Sequence, residues 1–274
     1  MDKIIKYMLD EDEGFGDITS NAVVDEGKEV NAYIVSKDDG ILAGINIIRD
    51  LFEEYGVKVN FWIKDGTKIS EGDVLMSFSG DARTILLLER TALNLVMRMS
   101  GVASAANYYV DLVKDSSVRV AGTRKTSPGI AKFDKYALKV GGADTHRFAL
   151  DDMVLIKDNH IASCGTPLET LLKAKENVSF SKKIEIEVES LDDAIECVKN
   201  GADIVMLDNM GPDEVKDVID ELEKLNIRQN SFIEVSGGIT DETIREYADL
   251  GVDIISIGAL THSSRSLNFS LKIE

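Results

Sequence analysis

KIEIEVESLDDAIECVKNGADIVMLDNMGPDEVKDVIDELEKLN, residues 183–226, reads twice over as a short apolar run followed by an amphipathic helix. Ser190 can cap the first helix, Asp192 and Asp193 fall in its first turn, and Gly201 lies past its end. Pro212 sits at a first-turn position of the second, where a missing N–H costs nothing. The alternation continues on both sides. VRVAG (118–122), MVLIK (153–157), SFIEVSGG (231–238) and DIISIGA (253–259) read as further strands. TDETIREYADLG (240–251) reads as a third helix, capped by Thr240 and closed by Gly251. The last four strands should begin near 184, 203, 232 and 253, a spacing that suits β/α units winding a parallel barrel. A doubly wound open sheet would give similar local patterns, so the polar residues at the strand ends carry the choice.

Active sites of α/β barrels form at the C-terminal ends of the strands. Here those ends are Arg124 and Lys125, Lys157, Glu187 and Glu189, Asp208 and Asn209, Ser236 with Gly237 and Gly238, and Gly258. The glycine-rich turns SGGIT and GALTHS can present backbone N–H groups to a phosphate. Glu187 and Asp208 suit Mg²⁺ or sugar hydroxyls. Arg124, Arg147 and Lys157 suit carboxylates or pyrophosphate, the arginines through two parallel hydrogen bonds. Lys157 leaves two chemistries open, a Schiff base of the aldolase kind or an electrostatic clamp beside the other cations. His146 and His160 could each be ligands, acid–base groups or structural hydrogen-bonders.

Ahead of the barrel, residues 28–80 alternate in short β-like runs (VNAYIVS, VKVNFWI, DVLMSF) separated by KDDG, KDGT and EGD, which indicates a small β-rich domain. DARTILLLERTALNLVMRMSG follows. Asp81 can cap a helix over about 82–99, with Gly101 as its terminator. That helix is apolar almost all round and needs cover on more than one side. Arg90 and Arg98 lie within it and must either snorkel to water or meet an anion.

The 274-residue chain carries a formal charge of −18, which opposes binding to nucleic acid or an anionic membrane. Residues 119–160 reverse the sign, with eight Lys/Arg against five Asp/Glu, as a pocket for a small polyanion would need. Cys164 and Cys197 have no paired spacing, which suits a reducing compartment. MDKIIKYMLDEDEGFGD lacks the apolar core of a leader, and no apolar run approaches 18 residues. A cytoplasmic protein is expected.

Several long blocks, in order along nearly the whole chain, resemble the quinolinate phosphoribosyltransferase family. They are GFGDITS, ERTALNLVMRMSGVAS, TRKTSPG, KYALKVGGADTHRFALDDMVLIKDNHI, EIEVESLDDA, IVMLDNM, EVSGGI and ISIGALTHS. The resemblance implies an N-terminal α/β sandwich over residues 1–105, joined by the tail 264–274, and an open, incomplete α/β barrel over 106–263. It implies transfer of phosphoribosyl from phosphoribosyl pyrophosphate to quinolinate with loss of CO₂, using Mg²⁺, in NAD biosynthesis. Matched motif by motif, Thr123, Arg124, Lys125, His146, Arg147 and Lys157 would surround quinolinate, with Lys125, Glu187 and Asp208 serving catalysis. Glu187 and Asp208 would also hold the metal and face the ribose, and Ser236, Gly237, Gly238, Gly258, Ala259 and His262 would hold the 5′-phosphate. A homodimer is implied in which Arg90 completes the neighbouring site, and a hexamer of such dimers would extend it. One departure is Gly122, where many members carry Asp before TRKT; a branch associated with molybdenum transport shares that glycine. The intact LIKDNH block, 155–160, matches the main branch. A monocarboxylate-using nicotinate phosphoribosyltransferase is the alternative within the architecture, and a non-catalytic phosphoribosyl sensor the alternative outside enzymes.

Overall fold

A computed structural model describes residues 2–274. From the amino end the elements are α1 (Lys3–Glu13), α2 (Ile18–Val23), β1 (Glu29–Ser36), β2 (Gly40–Ile41), α3 (Ile45–Glu54), β3 (Lys58–Trp62), β4 (Lys68–Ile69), β5 (Val74–Asp81) and α4 (Ala82–Leu112). Next come β6 (Arg119–Ala121), α5 (Ala131–Val140), β7 (Val154–Ile156), α6 (Asp158–Cys164), α7 (Pro167–Asn177), β8 (Ile184–Val188), α8 (Leu191–Lys199) and β9 (Ile204–Asp208). The chain closes with α9 (Pro212–Lys224), β10 (Phe232–Ser236), α10 (Ile244–Ala248), β11 (Ile254–Ser256), α11 (Ala259–His262) and β12 (Phe269–Ile273).

Two compact units emerge. The first holds the chain up to Asn107 with Thr126–Gly142 and Leu260–Glu274; the second holds Tyr108–Lys125 and Ala143–Ala259. In the first unit an antiparallel sheet runs in the order β12-β1-β5-β3, and β2 and β4 form a two-stranded ribbon. The tail belongs to this sheet through β12, paired from Ser36↔Phe269 to Ala32↔Ile273. The stretch read as β-rich also contains α3, whose Ile45, Ile48, Leu51 and Phe52 recur at helical spacing and are buried. Phe52 stacks on Phe78 of β5 at 4.5 Å between ring centroids.

The long helix α4 begins where Asp81 accepts the backbone N–H of Thr84 at 2.9 Å, as a capping aspartate should. It does not stop at Gly101. It runs on to Leu112, and Gly101 is there because the tail presses on the helix: a Cβ would lie 2.1 Å from the Arg265 carbonyl oxygen. Arg98 meets an anion, the wholly buried Asp134 of α5, at 3.0 Å. Arg90 is exposed. The Arg98 pair, and Gly141 lodged 2.3 Å (as a virtual Cβ) from the Ala103 carbonyl, tie residues 126–142 to α4. That segment, read from sequence as part of the barrel, therefore groups with the first unit.

The second unit is the six-stranded parallel sheet β6-β11-β10-β9-β8-β7. It is an open barrel, because β6 and β7 are its two edges and do not pair. Residues 143–147 lie along the free edge of β6 instead, where Asp144 N–H donates to the Val120 carbonyl and Gly122 N–H to Asp144. The expected strands all form, and Ser190 caps α8 through the Asp193 N–H at 3.2 Å. Thr240 does not cap α10. Thr243 occupies that position, and its hydroxyl accepts the Thr240 N–H, a local turn that delays the helix.

Candidate active site

In a parallel strand successive side chains point to opposite faces, so residues two apart share the interior. At the carboxyl end of the sheet this rule gathers a cavity of about 350 Å³. Its walls include Gly122, Thr123, Arg124 and Lys125 beyond β6, Lys157 after β7, Glu187 on β8, Asp208 on β9 and Ser236 on β10. His146 and Arg147 enter from the segment beside β6. Leu155, Met206, Glu234 and Ser256, each two residues short of a strand-end position, form the layer below.

Arg147 is buried, 6% exposed, and its Nη1 donates to the Met153 carbonyl at 3.3 Å. Burial and the positive charge of Arg124 nearby lower its pKa. Two guanidiniums held within reach of each other repel, and such a pair is stabilised when a shared anion enters. Arg124 and Lys125 are exposed, and Lys125 N–H donates to Thr123 Oγ1 at 3.0 Å, which folds the TRK turn back on itself. The Lys157 ammonium is hydrogen-bonded to the Glu187 carboxylate. With its nitrogen engaged by that carboxylate, Lys157 suits an electrostatic clamp better than a Schiff base, whose amine must be free to attack a carbonyl.

Asp208 accepts from the side chain of Asn209 at 2.8 Å. Glu187 and Asp208 offer hard oxygen donors on neighbouring strands, one half-exposed cavity between them. That donor set fits Mg²⁺, which is held by one or two carboxylates with the remaining positions left to water and substrate phosphate.

Asn209 has a left-handed φ of 55°, and its backbone N–H donates to the Ser236 carbonyl at 2.9 Å. This close approach explains Gly237: its φ is 93°, and a Cβ would lie 2.2 Å from Asn209 Oδ1. Gly238 follows with φ 62°, and Gly258 and Ala259 come after β11 at the same end of the strands. Arg90 and His262 are not among the cavity residues and belong to the first unit, where His262 Nδ1 lies 2.6 Å from Ser263 Oγ. His160 accepts the Lys157 N–H at 2.9 Å through Nδ1 and so caps its own helix, α6.

Sequence reading missed two residues beneath the cavity. Glu185 and Glu234 are wholly buried, and the Oε2 of each lies 3.3 Å from His146 Nε2. Burial disfavours a charge on His146 and the two carboxylates favour one, which raises its pKa, but the Arg147 N–H donated to Nδ1 opposes a second ring proton and leaves the one proton on Nε2. Burial, then the neighbouring carboxylates, raise Glu185 as well. A sequence signal existed: counting back two from Glu187 and from Ser236 reaches both glutamates.

Comparison with known proteins gives one family along the chain. The pattern described as the quinolinate phosphoribosyl transferase N-terminal domain matches residues 17–100, and the C-terminal domain of the same family matches 102–272. The chain is similar to a probable nicotinate-nucleotide pyrophosphorylase (carboxylating) of Methanocaldococcus jannaschii, with 51% identity over 99% of this chain and 96% of the relative. A protein of the same description from Methanothermobacter thermautotrophicus is 43% identical over 99% and 98%. Among solved structures, the nicotinate-nucleotide pyrophosphorylase of Ehrlichia chaffeensis superposes with a TM-score of 0.93 at 36% identity, covering 99% of this chain and 98% of that one.

Proposed function

The chain belongs to the quinolinate phosphoribosyltransferase family, and on that premise we propose how its cavity carries the family reaction. The protein transfers phosphoribosyl from phosphoribosyl pyrophosphate to quinolinate, giving nicotinate mononucleotide, pyrophosphate and CO₂ in NAD biosynthesis. One observation carries the assignment of roles: Arg124, Lys125, Arg147 and Lys157 line the same cavity as Glu187 and Asp208.

A pyridine bearing two adjacent carboxylates answers the surplus of cations better than a monocarboxylate does. Arg124 and Arg147 take carboxylates, and the dianion relieves their mutual repulsion. Lys125 and Lys157 add charge, with Thr123 at the turn. Glu187 and Asp208 face the ribose hydroxyls. Displacement of pyrophosphate at ribose C1 builds positive charge on the sugar, and a carboxylate beside it stabilises that charge. Mg²⁺ held by Glu187 and Asp208 would neutralise the departing pyrophosphate. Ser236, Gly237, Gly238, Gly258 and Ala259 present backbone N–H groups and a hydroxyl suited to the 5′-phosphate.

Once the pyridine nitrogen carries ribose it is quaternary, and it accepts the electrons left at C2 as CO₂ departs. The cations then need only hold the acid in place until that bond breaks. Arg90, exposed on the apolar helix α4, completes the cavity of a second copy in a homodimer. Incubation with quinolinate, phosphoribosyl pyrophosphate and Mg²⁺ tests the assignment. Nicotinate mononucleotide with stoichiometric labelled CO₂ is expected; turnover of nicotinate without CO₂ would refute it.

A further inference from the structure

Both ring nitrogens of His146 are engaged inside the protein. Nδ1 accepts the backbone N–H of Arg147 at 2.9 Å. Nε2 faces Oε2 of both Glu185 and Glu234 at 3.3 Å. Neither nitrogen is left to meet a substrate carboxylate, although the family resemblance gives His146 that task. Because Nδ1 accepts, the imidazole proton sits on Nε2, between the two carboxylates, and Nε2 is closed to a metal ion as well. His146 also holds a backbone φ of 53°, which a β-carbon makes unfavourable unless its surroundings impose it. The surroundings do so from three sides. His146 N–H donates to Asp144 Oδ1 at 2.8 Å, Asp144 is bound to the edge of β6, and the two glutamates hold the ring from β8 and β10. The next residue is Arg147, whose position is thereby set by a ring anchored in the barrel floor.

We propose that His146, Glu185 and Glu234 are positioning residues that lock residues 144–147 so that Arg147 aims its guanidinium at a substrate carboxylate, and that His146 does not itself bind quinolinate. The buried carboxylates explain their own presence on this basis. Apart from His146 Nε2, Glu185 meets no donor, and Glu234 Oε1 is likewise without a partner among the described residues. Buried acids so poorly satisfied are costly, and they persist where a site needs them. The inference depends on Arg147 being a carboxylate ligand, and the experiment separates the two.

Michaelis constants are measured for wild type, E234Q, R147A and the double variant. E234Q is isosteric, removes one buried charge, and frees the ring to rotate. It should raise KM for quinolinate roughly tenfold or more while KM for phosphoribosyl pyrophosphate stays within about twofold. In the R147A background E234Q should add less than about twofold, since the residue being positioned is gone. Equal increases in both constants, no increase at all, or an undiminished further loss in the double variant would overturn the positioning role. Normal use of quinolinate by R147A would instead remove Arg147 from the clamp. E185Q takes the place of E234Q should the latter not fold. A readout on the unaltered protein needs no variant: with only three histidines, ¹⁵N spectra of the imidazoles resolve each one. Nδ1 of His146 should keep its unprotonated shift when quinolinate alone is added. A proton appearing on Nδ1 at that step would show direct binding and sink the proposal.

Discussion

Arg147 concentrates the chemistry of the cavity at the residue scale. It is the buried member of the cation set, so truncating it leaves a substrate carboxylate unpaired where water enters poorly. R147A should weaken quinolinate binding by about 2–5 kcal/mol, a rise in KM of roughly thirtyfold to several thousandfold. Binding of phosphoribosyl pyrophosphate, measured in parallel, should change little. D208N tests the other half of the site. Removing a charge that meets developing positive charge on the ribose should lower kcat by about 10²–10³ with both substrates saturating. The strand-end cations and carboxylates were legible in the sequence because their spacing follows the strands. Glu185 and Glu234 were overlooked, although they stand two residues before Glu187 and Ser236. In IEIEVE an alternating pattern reads as one wet face, whereas in a barrel both faces of a strand are covered, so the inward glutamates look like ordinary surface residues.

Among the elements, α4 shows how one glycine can carry opposite readings. Gly101 followed by small residues looks like a helix stop. Inside a helix, glycine is worse than alanine by about 0.5–1 kcal/mol, so it persists there only for a reason of space. The reason is the Arg265 carbonyl, 2.1 Å from where a Cβ would stand. G101A should therefore destabilise the fold by about 1–3 kcal/mol despite the better helix propensity, seen as a lower urea midpoint. An unchanged or raised midpoint would show that the tail yields at no cost. D134A should cost more, about 3–5 kcal/mol, because it strands the Arg98 guanidinium among buried neighbours. The same denaturation series measures it.

At the scale of the whole molecule, the proposed homodimer makes a quantitative prediction. R90A and R147A would each inactivate both sites of their own dimers. In a mixed dimer one site would collect both lesions and the other neither. Mixing, unfolding and refolding the two inactive variants in equal amounts should restore about a quarter of wild-type turnover. No recovery would place Arg90 in the site of its own chain, or outside any site. Chain length and charge set the class of molecule, and the strand and helix order set an α/β barrel, but neither reveals that residues 126–142 leave it for the first unit.

What the amino-acid sequence determined alone is whatever a few neighbouring residues control. The order of strands and helices, the Ser190 and Asp81 caps, and the polar residues terminating each strand all follow from local hydrogen bonding and period. Only tertiary structure decided the length of α4, the grouping of α5 with α4, and the engagement of both nitrogens of His146. Each of those depends on partners far away in the chain: Arg265 against Gly101, Asp134 against Arg98, and Glu234 against His146. A local pattern states what a residue prefers, and a distant contact settles which preference prevails.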